Sequence, residues 1–416
     1  MSFEITNAER LYLRGLAKKQ LEYASLPVMA ERKQQWMNLN TGKRSIPPVI
    51  VETWTFDNDF MPKDVYRCQS PAARRVESVL LRNIREHELI DDDKVMPDFF
   101  PVDHAVSINE FGFDIETRHA TDGSGLAVGY QYDHPIEDLE RDFGKLNPAS
   151  VVIDREASQQ KLDFVNEILG DILPVVFDGI PPYVGLTEKV IKLMGMERFY
   201  MAMMDQPDSV HRLMRHLAES QIGIMRFYER EGLLTLNNGN HQTCMSSYGF
   251  TDELPAEGFD GRHVRTKDIW LWVEAEEMAG ASPNMFREFV LPYVAEVSSI
   301  LGLVYYGCCE PLHAFWPDIH TAIPNIRKVS VSPWCDQRRM GEYLRDTGVV
   351  YSRKPSAVYL GVDDSLDEEA WRAHIRETAI AAKGCQLEII IRDVYKVKDL
   401  ENVRRAVEIA QEETSE

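Results

Sequence analysis

Eight short β-rich runs recur along this chain, and longer segments of helical periodicity separate most of them. The runs are Pro48–Thr53, Pro174–Asp178, Leu233–Asn237, Asp268–Val273, Leu303–Gly307, Lys328–Ser332, Val349–Ser352 and Leu387–Ile391. Strands joined through helices pair in parallel, because the crossover returns the chain to the same end of the sheet before the next strand begins. The runs are close to continuously apolar, which is the composition of strands buried on both faces. Eight such units predict an α/β fold closed into a (β/α)8 barrel. An open doubly wound sheet is the alternative, but no G-x-G-x-x-G follows any of the runs.

The helices have readable starts. Pro207-Asp208 opens one over 207–230, Ser282-Pro283 one over 283–301, and a third pattern runs from Asp364 to Lys383 and stops at Gly384. Residues 7–45 read as one or two helices capped by Asn7, with Leu11, Leu13, Leu16 and Leu21 on one apolar stripe, so 1–46 is a helical lead-in. The stretch 56–170 is too long for one crossover. It is expected to form an inserted extension or lid, with a turn or hairpin at Thr121–Gly129. No shift in composition marks a second domain, so a single barrel domain over 1–416 is expected.

Charge and apolar runs narrow the partners. The chain has 67 Asp and Glu against 46 Lys and Arg, a net charge of −21, which repels a phosphate backbone; nucleic acid is not an expected partner. Its apolar runs are too short to cross a bilayer, and Met1-Ser2-Phe3-Glu4-Ile5 lacks the basic and apolar regions of a secretory signal. A cytoplasmic location without a membrane partner is the expectation, and a homodimer is allowed for. Six cysteines in 416 residues make no disulfide framework, and adjacent Cys308 and Cys309 are badly placed to bridge to each other. Free thiols or metal ligands remain.

In a parallel barrel the chemistry sits at the C-terminal ends of the strands. Here those ends are polar: Asp178-Gly179 after the second run, Asn237 to His241 after the third, Glu274-Ala275-Glu276-Glu277 after the fourth and Cys308-Cys309-Glu310 after the fifth. Trp334-Cys335-Asp336, Arg353-Lys354 and Arg392-Asp393 follow the last three. Thiolate, imidazole and carboxylate are the donors zinc takes, and a catalytic zinc uses three protein ligands and keeps one position open. Cys308, Cys309, Glu310, Asp393 and His241 could supply them. Neighbouring residues on an extended strand point to opposite sides, which favours Cys309 as the inward thiol. Against this stands the plainer reading of free cysteines as small buried hydrophobes, since no H-E-x-x-H or C-x-x-C spacing occurs. Asp178, Glu276 and His241 are the acid–base candidates, although Asp178 could equally stabilise the turn before Gly179. Asn237, Trp54, Trp272 and Lys354 are expected to contact substrate. Packing is the commoner role for barrel tryptophans, and core filling for the methionines at 194–204.

Several stretches, in order, resemble the uroporphyrinogen decarboxylase superfamily, over roughly residues 170–410. They are the segment Pro174 to Pro182 with its Gly-x-Pro turn, the helix start Pro207-Asp208-Ser209-Val210, and the Ser282-Pro283 to Pro292-Tyr293 helix. Tyr305 to Glu310 then occupies the strand on which the family's zinc methyltransferases carry a His-x-Cys ligand pair. The resemblance implies a (β/α)8 barrel. The arginine-rich loop of the true decarboxylases has no counterpart after Val49 to Trp54, which points to the branch that moves methyl groups between a small substrate and a corrinoid. Within that pattern Cys309 matches the ligand cysteine, Gly307 stands in place of the histidine, and Asp393 stands where a last cysteine is usual. The implied function is a zinc-dependent demethylase component that transfers a methyl group from a small methylated donor, such as an aryl methyl ether, to cobalamin on a partner corrinoid protein. The chain has no D-x-H-x-x-G motif for a corrinoid of its own. The alternative is a metal-independent decarboxylase using Asp178, Lys354 and Arg392.

Overall fold

The computed structural model describes residues 3–121, 127–362 and 365–415. Seven strands form one sheet in the order Val49–Val51, Gln386–Ile391, Val350–Arg353, Ile326–Val331, Leu303–Tyr306, Trp270–Glu274 and Val184–Gly185. Every neighbouring pair is parallel. The first run of the sequence pairs with the last, Val49 opposite Ile389 and Val51 opposite Ile391. Six of the eight runs expected from the sequence contribute a strand to this sheet.

The strands alternate between two environments, as a period of two requires. Val304, Tyr306, Val329, Val331, Tyr351, Ile389 and Ile391 join the main apolar core with the surrounding helices. On the other face, Ile50, Val350 and Ile390 pack with Trp36 and Leu39 of the Pro27–Asn40 helix and with Tyr248 and Phe250. That face also carries Lys328, Ser330, Ser352 and Glu388, all fully buried. The Lys328 ammonium donates to Glu388 Oε2 at 2.9 Å, to Ser247 Oγ at 2.6 Å and to the Tyr248 carbonyl at 3.1 Å. Ser247 in turn donates to Glu388. These bonds fix a short hairpin, Gln242–Cys244 against Ser247–Tyr248, on the polar face of the sheet.

The Leu233–Asn237 run makes no strand ladder. Side chains do the work instead. Thr235 exchanges hydrogen bonds with Gly179, and Asn237 grips the Trp270 backbone at both its N–H (2.8 Å) and its carbonyl (3.0 Å). Val175–Asp178 pairs in parallel with Phe100–Asp103, which lies inside the 56–170 stretch. That stretch also holds the Pro71–Arg85 and Arg155–Leu169 helices, which share a second core with the Asn7–Ala24 helix. An antiparallel pair, Ala105–Asn109 with Ser150–Asp154, completes it together with a hairpin. Thr117–Thr121 pairs with Ala127–Tyr132; residues 122–126, the turn expected between them, lie outside the described residues.

Helix ends follow local chemistry. Thr6, not Asn7, caps the first helix, because Thr6 and Glu9 satisfy each other's backbone N–H in a capping box. The helix expected over 283–301 is two, Pro283–Phe289 and Leu291–Ser298, since Pro292 cannot continue the first past Val290. Asp367 caps the helix Glu368–Ala381. No helix among the described residues is long and apolar enough to cross a membrane.

A candidate thiol–carboxylate metal site at the strand ends

The strands Trp270–Glu274 and Leu303–Tyr306 run side by side in register, Val273 opposite Tyr306, so the segments that follow them emerge at one level. Glu276 begins a short turn after the first. After the second, Gly307 adopts φ 90°, a left-handed conformation in which a Cβ would come within 2.5 Å of Leu312. This turn ends the strand's alternation. Cys308 and Cys309 therefore do not diverge as an extended strand would make them: their Sγ atoms lie 3.6 Å apart. The expectation that only Cys309 faces the site is corrected accordingly. Glu276, Cys308 and Cys309 each bring a ligand atom within 4.8 Å of the others.

Both ligand-bearing turns are braced by a buried carboxylate. Glu274 Oε2 accepts from the Glu276 N–H at 2.7 Å, and Glu310 Oε2 accepts from the Cys308 N–H at 2.7 Å. The second oxygen of each, Glu274 Oε1 and Glu310 Oε1, is buried without a protein partner. Burial raises the pKa of both, Glu310 to about 7. Glu310, expected as a ligand, thus holds the ligand segment and stands outside the three-residue group. Asp393, also expected as a ligand, has φ 59° and pairs with Arg392 at 3.3 Å. Arg392 bridges to Glu52 at 3.1 Å and places a guanidinium nitrogen 3.9 Å from Cys308 Sγ.

The donor set suits a borderline-soft cation. The Cys308 thiol is pushed well up by its hydrogen bond with Cys309, by burial and by the nearby Glu276. A divalent cation held among the three groups would reverse that penalty, because it would favour the thiolates that the crowded anions disfavour.

The remaining residues fall into place around or away from this group. Trp272 donates its indole N–H to the Gly307 carbonyl at 3.0 Å and stacks on Tyr183, ring centroids 4.2 Å apart. Trp54 is 59% exposed in the segment after the first strand. Lys354 is buried against Tyr305 and Ser352, and burial lowers its pKa to about 8. Asn237 is committed at both ends to Trp270, so it replaces a strand partner; the substrate contact expected of it is not what the structure shows. Asp178 and His241 line a separate cavity, which none of Glu276, Cys308 and Cys309 lines. Sequence reasoning missed the bracing role of Glu274 and Glu310, although the alternation of Glu274 and Glu276 on one face was a usable signal.

Glu310 carries a testable pH dependence in the metal-depleted protein. Its folded pKa of about 7 lies above the ordinary carboxylate value of 4.5, so its stabilising, protonated state is fully favoured below 4.5 and its contribution is lost as pH rises through 7. Glu310→Gln keeps an acceptor for the Cys308 N–H and cannot ionise. Its stability relative to wild type should be near zero at low pH and grow to a plateau above pH 7, on the order of 3 kcal/mol. Urea unfolding at a series of pH values reads this directly, and a difference flat with pH contradicts it.

The sequence matches neither a protein-family model nor a curated protein. Among solved structures the chain is similar to a methyltransferase from Methanosarcina mazei, with a TM-score of 0.52 and 14% sequence identity over 92% of this chain and 98% of that one. At that identity, what the two chains share is a fold.

Proposed function

We propose that the chain is a zinc-dependent methyltransferase that moves a methyl group from a small methylated compound, an aryl methyl ether in class, to a corrinoid carried by a partner protein. The observation that carries this reading is the grouping of Glu276, Cys308 and Cys309 at the C-terminal ends of two adjacent parallel strands. The shared fold with a methyltransferase supports it, as does the sequence resemblance of the Tyr305–Glu310 segment to a ligand-bearing strand. We also read the sheet as the wall of a (β/α)8 barrel. Its first and last runs pair with each other, and the Leu233–Asn237 segment bonds to Gly179 on one side and Trp270 on the other.

Held by Glu276, Cys308 and Cys309, zinc would supply Lewis acidity at a substrate oxygen whose methyl group is departing. The chain's own residues provide the rest. Glu274 and Glu310 fix the turns that carry the ligands. The stacked Tyr183–Trp272 pair offers an aromatic wall to an aryl substrate. Arg392 and Lys354 bring positive charge near the oxygen that gains electron density as its methyl bond breaks. The decarboxylase alternative asks Asp178, Lys354 and Arg392 to act on one substrate, yet Asp178 lines a cavity that neither of the other two lines.

Elemental analysis of protein purified without added metal, before and after chelation and reconstitution, is the test. About one zinc per chain, restorable after removal, is expected. Zinc absent and not restorable would overturn the proposal.

A further inference from the structure

A cavity of about 270 Å³ lies between the Met96–Pro101 segment, the strand end at Asp178 to Ile180 and the base of the Gln242–Tyr248 hairpin. At one end are four buried polar atoms without a hydrogen-bond partner in the protein: Asp178 Oδ1, Asn240 Nδ2, and both ring nitrogens of His241. Leaving such atoms unmatched costs about 1–3 kcal/mol each, and most buried polar groups in folded chains avoid it. Asp178 and His241 are near enough for the charge of each to act on the other, yet they make no hydrogen bond. Their unused capacity therefore faces a ligand.

The geometry points to a binding site for a small neutral aromatic compound that carries a hydroxyl group, distinct from the thiol–carboxylate site. A hydroxyl donates to Asp178 and accepts from Asn240 or His241, so one substituent answers both kinds of unmatched atom. A carboxylate would set like charge against Asp178. An ammonium would pair with Asp178 but leave the donors of Asn240 and His241 unused. Burial lowers the His241 pKa, which keeps its ring neutral, one nitrogen donating and one accepting. The rest of the lining mixes apolar Met29, Val95, Met96 and Phe99 with charged groups that are already paired, Arg32 with Asp91 and Lys94 with Glu86 and Asp92, so no unpaired charge is left there for an ionic ligand; the Phe99 ring sits 5.3 Å from that of His241. A cavity of about 150 Å³ holds a benzene ring, so this one takes a ring with a polar substituent.

The inference does not rest on methyl transfer or on zinc. Calorimetric titration of the full chain with phenol, and with benzene as the analogue lacking the hydroxyl, tests it. Phenol should bind saturably at one site per chain, at least about tenfold more tightly than benzene, because without the hydroxyl the polar end stays unmatched. His241→Ala and the more conservative Asp178→Asn should each weaken phenol by at least about tenfold while the zinc content stays that of wild type. Glu276→Gln should leave phenol binding unchanged. No saturable binding, equal affinity for phenol and benzene, or wild-type affinity in both cavity variants overturns the proposal. Loss of phenol binding in Glu276→Gln also overturns it, by moving the ligand to the thiol site.

Discussion

Replacing Cys309 with alanine should weaken the proposed zinc binding by roughly a hundredfold or more and abolish the proposed methyl transfer, and Cys308→Ala and Glu276→Gln should do the same. Changes to groups that merely orient a ligand cost 10–100-fold in metal affinity, roughly, so loss of a donor atom sets at least that scale. Three protein donors are the minimum for a catalytic zinc, and each variant leaves two. Competition with a chromophoric chelator measures the affinity, and thermal unfolding of the metal-free proteins checks that the fold survives. The Cys308 variant discriminates most sharply. An extended strand end would turn that side chain away from the site, whereas the Gly307 turn brings the two sulfurs to 3.6 Å. Wild-type zinc affinity in Cys308→Ala together with a large loss in Cys309→Ala would restore the single-thiol reading.

Lys328→Met should destabilise the chain by about 3–5 kcal/mol, the range for removing one partner of a buried ion pair. Lys328 and Glu388 are both inaccessible to solvent, and burial lowers the lysine's pKa, so its charge is sustained only by its partners. Without the ammonium, Glu388 keeps only the Ser247 hydroxyl, and the Tyr248 carbonyl keeps only the Asn40 amide. The double variant Lys328→Met, Glu388→Leu removes both charges and should recover much of the loss. Denaturant unfolding of the three proteins reads this. A single-variant cost under about 1 kcal/mol would show that the pair contributes little.

Much of the fold was legible because strands buried on both faces have a plain signature. Val329, Val331, Ile389 and Ile391 alternate with Lys328, Ser330, Glu388 and Ile390, and the runs stand out against helical segments opened by Pro207 and Pro283. Leu233–Asn237 looked the same but forms no ladder, because the Asn237 amide and the Thr235 hydroxyl take over bonds that backbone would make. Phe100–Asp103 was missed, since its partner Val175–Asp178 lies more than seventy residues away and nothing local announces the pairing. In the site, residue types and strand ends were readable. The grouping was not, because it depends on one glycine's positive φ and on carboxylates that serve backbone N–H groups. Asp178 and His241 were singled out as acid–base candidates, but sequence alone could not assign them to a different cavity from the thiols.

Two of the three donors at the candidate metal site ride on a single peptide unit, while the third stands on the turn that follows the neighbouring strand. The two sulfurs therefore move together when the sheet breathes, their spacing following from the local turn and from rotation about each cysteine's own Cα–Cβ bond. The carboxylate is the adjustable jaw. A perturbation that spreads these two strands is felt first as a change in the distance between the Glu276 carboxylate and the sulfur pair. Such a site works as a calliper on the sheet, with metal affinity as its scale.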